Sequence, residues 1–290
     1  MEMDISKFVE RAQPLGLLGV KVSRNGEEIA QWYLEPEIRR NVYSVTKSFT
    51  SVAVGFAVQE GLLSIEEKLT DAFADDLPEE IPEYLAKAQV RDLLTMCLGQ
   101  EGSHLMGEQK PLYTEDDWVK MALRIPVVYE PGTHFAYSNV GPYLAGILVQ
   151  RRAGCGLVEY LMPRLFAPLG IKRPTWEVDP LGHHFGASGL MLTLSELHRF
   201  GLFCLAEGEW DGQRLLSPDW IREATRRQSE APYGYLFWRG EFDSYRADGK
   251  YGQYTIILPE RRAVVSAVSE CRDCESLMRA INEELCARVS

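Results

Sequence analysis

Tyr43-Ser44-Val45-Thr46-Lys47 puts a hydroxyl and an amine three residues apart, at the point where an apolar helical pattern begins. Residues i and i+3 of a helix share a face, with Cβ atoms roughly 5–6 Å apart, so the Ser44 hydroxyl and the Lys47 amine can meet. The first turn of a helix carries unpaired backbone N–H groups and the positive end of the macrodipole, which stabilise an alkoxide and disfavour an ammonium. Lys47, once desolvated there, would be a neutral base for a Ser44 nucleophile. The bland alternative is an N-cap serine beside a solvated lysine. Against it stands the stretch 49–58, apolar almost all round as a buried helix is; an exposed cap rarely starts such a helix.

Two further segments carry chemistry. Glu130-Pro131-Gly132 is a turn that leads into Tyr137-Ser138-Asn139, just before an apolar helix. A phenol such as Tyr137 can relay a serine proton to a leaving group if nearby cations hold its pKa down, and Asn139 can orient a lysine and a substrate carbonyl. The alternative is a half-buried tyrosine followed by a helix cap. The second segment, Asp248-Gly249-Lys250-Tyr251-Gly252-Gln253, opens a strand. Gly252 permits close backbone approach, so the Gln253 N–H could pair with that of Ser44 as an oxyanion hole, with Lys250 binding an anionic group or lowering the Tyr137 pKa. Locally the same residues also read as a glycine-rich turn with a solvated lysine.

The elements that must position these groups follow from pattern. Residues 4–13 form a short helix closed by Pro14 and Gly16, and 17–23 and 28–34 form a hairpin about an Asn25-Gly26 turn. Residues 36–41 are a polar loop that delivers the chain to Ser44. From 63 to about 227 the signals are helical, at 83–88, 90–97, 115–123, 140–151, 157–165, 194–207 and 218–226, with 98–111 the most loop-like connection. Strand signals return at 233–239, 244–247, 253–258 and 263–269, before a terminal helix over 273–289. The order predicts an α+β fold: one antiparallel β-sheet closed by both chain ends, flanked by N- and C-terminal helices, with a large inserted helical region. The expected division is 1–43 with 232–290 as the sheet domain and 44–231 as the helical one, the site at their interface.

Composition narrows the function class. The 290 residues are 46% hydrophobic and 25% charged, as in an ordinary globular protein able to bury a core without staples. Net charge is −11, from 42 acidic against 31 basic residues, and no Lys/Arg stripe interleaves with aromatics, so nucleic acid is not an expected partner. The first residues lack a basic segment followed by an apolar one, and no apolar run of 18 occurs, so a cytoplasmic chain without membrane contact is expected. Six scattered cysteines are expected to be reduced, Cys271 and Cys274 forming a CxxC with no second pair to complete a zinc site. His183-His184 lacks further ligands at suitable spacing and is read as loop, so no metal or cofactor is expected.

In this order and at these distances the three segments resemble the serine β-lactamase and penicillin-recognising superfamily, nearest its class C β-lactamases, DD-peptidases, family VIII esterases and 6-aminohexanoate-oligomer hydrolases. Ser44-Val45-Thr46-Lys47 matches the first motif, Tyr137-Ser138-Asn139 the second, and Lys250-Tyr251-Gly252 sits where the third belongs. Linking phrases resemble the family too, among them Arg91-Asp92-Leu93-Leu94-Thr95, Phe166-Ala167-Pro168-Leu169-Gly170 and Ala187-Ser188-Gly189-Leu190. The resemblance implies Ser44 as the acylated nucleophile, Lys47 as its base or proton relay, and Tyr137 as proton donor to the leaving group and activator of the deacylating water. It implies Asn139 as the residue that positions Lys47 and substrate, and the N–H groups of Ser44 and Gln253 as oxyanion donors. Tyr251 departs from the small hydroxyl residue that usually contacts a β-lactam carboxylate and should narrow the cleft, which favours an ester or amide substrate over a β-lactam. An α/β-hydrolase would need G-x-S-x-G, which Gly186-Ala187-Ser188-Gly189-Leu190 lacks. The expected function is therefore a serine hydrolase acting through an acyl-enzyme on a small-molecule ester or amide. The alternatives are a β-lactamase or DD-peptidase acting on β-lactam-like substrates, and a ligand-binding domain that kept the fold without turnover; oligomeric state is not legible.

Overall fold

The early hairpin and the late strands join into a single antiparallel sheet. In the computed structural model, which describes residues 2–289, it has six strands: β1 (Leu17–Arg24), β2 (Glu27–Tyr33), β3 (Trp238–Arg239), β4 (Tyr245–Gly249), β5 (Gln253–Leu258) and β6 (Ala263–Ser269), in the order β2-β1-β6-β5-β4-β3. The first turn forms because Asn25 and Gly26 both take positive φ, 52° and 81°, as a two-residue hairpin requires. The two ends of the chain meet where Leu17 pairs with Ser269 and Arg24 with Ala263.

Alternation along the strands supplies two cores. Val20 and Val22 of β1, Ile256 of β5 and Val265 of β6 face helix α1 (Ser6–Ala12) and the last helix, through Phe8, Leu277 and Ile281. Ile257 and Val264 face the other way, into the large helical region. There α2 (Thr46–Gln59) is buried from Thr46 to Ala57, as its all-round apolar sequence demands, and it packs on α3 (Val140–Ala153). Helix α4 (Leu194–Leu205), opened by a reciprocal Thr193/Glu196 capping box, lies between α2 and the sheet. Phe49 stacks on Phe200 of α4 at 3.8 Å and on Phe166 at 6.1 Å, so truncating it to Ala should cost about 3–5 kcal/mol. The C-terminal helix α5 (Cys274–Ile281) ends in a wide turn, Asn282–Cys286, short of the expected limit.

The expected strand over 233–239 shrinks to Trp238–Arg239. Gly234 is pressed onto the Ala224 carbonyl, where a Cβ would stand 2.1 Å away, and Leu236 takes a φ of 64°, so the chain reverses instead of extending. The expected helix 90–97 stops at Leu94 because Met96 adopts a φ of 61°. No helix among the described residues is long and apolar enough to cross a membrane.

Candidate active site

Ser44 stands in a single 3-10 turn, Tyr43–Val45, that runs directly into α2. The chain reaches it under restraint from both sides. Arg40–Asn41 pairs with Met191–Leu192, the Val42 N–H donates to the Leu190 carbonyl at 2.9 Å, and the Tyr43 N–H donates to Asn41 Oδ1 at 2.7 Å. Tyr43 itself is held at a φ of 47°, a left-handed conformation that costs a non-glycine residue about 1–2 kcal/mol. The turn thereby leaves the Ser44 side chain partly exposed at the floor of a cleft of about 780 Å³, while Lys47, one turn on, is 1% exposed beneath it.

The Lys47 Nζ has three close partners: Ser44 Oγ at 2.9 Å, Asn139 Oδ1 at 2.7 Å and the Ala187 carbonyl at 2.8 Å. None is a carboxylate. Burial pushes the Lys47 ammonium well below its ordinary range, the Lys110 ammonium adds to this, and Asp248 opposes it. A neutral amine has two N–H donors and one lone pair. The carbonyl of Ala187 and the amide oxygen of Asn139 can only accept, so they would take both donors of the neutral amine and leave its lone pair for the Ser44 hydroxyl; as the ammonium, Nζ donates to all three.

Asn139 is fixed for this task. Its Nδ2 donates to the Leu105 carbonyl at 2.9 Å and its backbone N–H to the His104 carbonyl at 3.0 Å, which aims Oδ1 at Lys47. It precedes α3 without capping it: its side chain makes no cap hydrogen bond. Tyr137 lies over Lys47, whose Nζ is 5.1 Å from the ring centroid, and stacks on Trp238 at 5.6 Å. Burial pushes the phenol upward, Asp248 adds to that, and a hydrogen bond with Ser44 works against it. The condition set for Tyr137 as a proton acceptor, that neighbouring cations hold its pKa down, is thus not met: burial pushes the phenol up instead.

The third segment is placed differently from expectation. Gly249 pairs with Gln253 across the β4–β5 hairpin, and Tyr251 and Gly252, with φ of 64° and 82°, turn the chain between them. Lys250 lines the cleft; Gly252 and Gln253 do not. Gly252 backs onto Ser269, and the Gln253 amide donates to the Ser269 carbonyl on the far side of the hairpin. The physical reason is the tight turn, which leaves the end of β4 beside the segment that leads into Ser44. A Cβ on Gly249 would stand 2.3 Å from the carbonyl of Val42, two residues before Ser44. Tyr251 does not line the cleft; its ring meets that of Tyr43, which does, edge-on at 5.3 Å.

Several cleft residues carried no signal in the sequence. Arg246 and Asp248, paired at 2.9 Å, line it from β4, and Lys110 and Glu177 from two loops. Ala187 and Ser188 belong to a phrase noted for its wording, yet the role of the Ala187 carbonyl is visible only in three dimensions.

Comparison with known proteins places this arrangement. Residues 6–280 match the Beta-lactamase family. A 6-aminohexanoate-dimer hydrolase from Paenarthrobacter ureafaciens is 26% identical over 283 residues, covering 87% of this chain and 72% of the relative. A D-aminopeptidase from Brucella anthropi is 30% identical over 146 residues, 47% of this chain, and that stretch spans only 26% of the larger relative. The octameric penicillin-binding protein homologue of Pyrococcus abyssi superposes with a TM-score of 0.76 at 20% identity, over 93% of this chain and 74% of its own, and so shares the fold. With a match running through nearly the whole sequence and the same architecture in a penicillin-binding protein homologue, the chain belongs to the Beta-lactamase family, and the curated relatives above are hydrolases.

Proposed function

We propose that the chain is a serine hydrolase that cleaves small amides or esters through an acyl-enzyme on Ser44. The observation that carries this reading is the set of contacts around Lys47, whose two obligate acceptors would leave the lone pair of the neutral amine for the Ser44 hydroxyl. In this reading the Ser44 Oγ–H bond gives its proton to Lys47 Nζ as Oγ attacks the substrate carbonyl. The developing oxyanion takes a hydrogen bond from the Ser44 N–H and a second from the backbone N–H that follows Gly249, that of Lys250, in place of Gln253. The close packing of Gly249 on Val42 supports that reassignment. Tyr137, protonated and lining the cleft with Ser44, passes a proton to the leaving amine or alcohol, and Lys47 re-protonates the phenol. Water then attacks the acyl group in the reverse sense, with Lys47 and Tyr137 as base, and Ser44 is released. Asn139 orients Lys47, and Lys250 offers an exposed cation to an anionic substrate group.

The names of the curated relatives, a 6-aminohexanoate-dimer hydrolase and a D-aminopeptidase, support an amide-type substrate. The experiment is intact mass spectrometry of wild type and Ser44→Ala after brief exposure to a fluorophosphonate and, separately, to a penicillin. One fluorophosphonate adduct, lost in the variant, is expected. A long-lived penicillin adduct would move the reading to a penicillin-recognising enzyme, and adducts that persist in Ser44→Ala would sink it.

A further inference from the structure

Beside Lys250, the cleft is lined by Lys110, a lysine to which the reading above gives no task. Lys110 begins the 3-10 turn Lys110–Leu112 and Glu177 stands in the loop before Phe185; both line the cleft with Ser44. They form an ion pair of 2.8 Å, and the Lys110 side chain is only 13% exposed. Its Nζ lies 3.5 Å from the centroid of the Phe185 ring. Phe185 is two residues from Ala187, whose carbonyl accepts from Lys47 at 2.8 Å. One short segment therefore carries both amines, Lys110 on a ring and Lys47 on a carbonyl.

Of the three lysines at or beneath the cleft, Lys47, Lys110 and Lys250, Lys110 alone among the described residues has a carboxylate partner. The charged and titratable groups around Lys47 and the cleft above it come from each wall: Tyr137 ahead of α3, Lys110 and Glu177 from the two loops, and Asp248, paired with Arg246, from β4. Glu108 and Lys250 complete the wall without ion pairs of their own. Resting on the nucleophilic reading of Ser44, we propose that the Lys110–Glu177 pair is a positioning element that clasps the two loops over the cleft and sets the charge seen by Lys47. The Lys110 ammonium repels a second positive charge on Lys47 and so keeps it a free base, while Glu177 anchors Lys110 and moderates the repulsion. Like charges in a poorly solvated site disfavour each other's ionised form by one to several pH units.

The signs are opposite for the two partners. Lys47 acts as a base only when neutral, so reaction at Ser44 rises with pH through the Lys47 titration. Removing the Lys110 charge makes Lys47 easier to protonate and moves this rising limb to higher pH; removing the Glu177 charge moves it to lower pH. The test is the rate of fluorophosphonate labelling, by intact mass, against pH for wild type, Lys110→Met, Lys110→Arg and Glu177→Gln, with circular dichroism to establish folding. The limb midpoint is expected to rise by about one pH unit in Lys110→Met, to fall in Glu177→Gln, and to stay put in Lys110→Arg. Should Lys110→Met not fold, Lys110→Gln replaces it. A loop-anchoring role alone would change rates without moving the midpoints in opposite directions. Unmoved midpoints, or midpoints that move the same way in the Met and Gln variants, would overturn the proposal while leaving Ser44 as nucleophile. Absence of labelling in wild type, or its persistence in Ser44→Ala, would instead remove the reading on which it rests.

Discussion

Two basic side chains in this molecule are buried against serine hydroxyls, Lys47 against Ser44 and His198 of α4 against Ser23 of β1. By distance alone the second pair is the tighter, with Nε2 and Ser23 Oγ 2.7 Å apart against 2.9 Å for Lys47 and Ser44. His198 also has a second partner, Ser266 Oγ at 2.9 Å, itself 2.7 Å from Thr255 Oγ1, so a continuous polar chain crosses from α4 into the sheet. Burial, with a smaller contribution from the Lys21 ammonium, pushes His198 down to about 3 and keeps it neutral. Yet Ser23 and His198 are 2% and 3% exposed and Ser266 is fully covered, so no substrate reaches them. The difference lies in what surrounds each pair. Ser44 sits after a strained residue at the floor of a cleft, next to a protonated phenol and the end of β4; Ser23 sits mid-strand under a helix. A base beside a serine is common chemistry for a core, and access with a place for the oxyanion makes it a site.

That comparison can be broken most directly at its two serines. Ser44→Ala should lower fluorophosphonate labelling by about 10⁴-fold or more, whereas Ser23→Ala should label at the wild-type rate, both read by intact mass. Equal loss in the two would mean that the adduct reports folding and not a nucleophile. Next in size, Lys47→Met should slow labelling about 10²–10⁴-fold, with His198→Gln leaving it untouched. Tyr137→Phe, which keeps the stack on Trp238 but removes the proton relay, should slow turnover of an activated ester about 10²-fold, measured as kcat.

The pH dependence of stability sharpens the other side. The folded-state pKa of His198 lies below its ordinary value, so its contribution is fully present above about pH 6.5 and is lost as pH falls toward 3. Thermal melts between pH 7 and 4 should show wild type losing up to about 1.4 kcal/mol per pH unit from this group once the pH is below about 6, and His198→Gln a flatter profile. Parallel profiles would assign the acid sensitivity elsewhere. The smallest effect is the stability cost of Ser23→Ala, about 1–3 kcal/mol for a buried partner left unpaired, seen as a shifted urea midpoint with unchanged slope.

What could be read from the sequence was what local chemistry writes. The Asn25-Gly26 turn, the apolar girdle of α2 and the i, i+3 relation of Ser44 and Lys47 are each contained in a few residues, and the structure brings Ser44, Lys47, Tyr137 and Asn139 together. The third segment was misread by one turn of a hairpin. Gly249 and Gly252 are equally small, and only the tertiary contact with Val42 distinguishes the glycine beside the Ser44 segment from the one that faces Ser269. The strand expected over 233–239 failed for a similar reason, since its reversal depends on Gly234 docking against Ala224, a neighbour supplied by another element. Lys110, Glu177 and Arg246 were invisible because charged residues in loops and at strand ends follow no period.

The pairing of β1 with β6 sets an order of events during synthesis. The strand that holds Leu17 emerges from the ribosome long before the one that holds Ser269, an interval of roughly 10–50 s at ordinary translation rates. Through that time β1 has only β2 beside it, and α2, apolar on every side, is already made but lacks the sheet side of its shelter. The candidate site is complete only when the last strand zips in, so that appearance of a labelable serine would time the completion of folding itself.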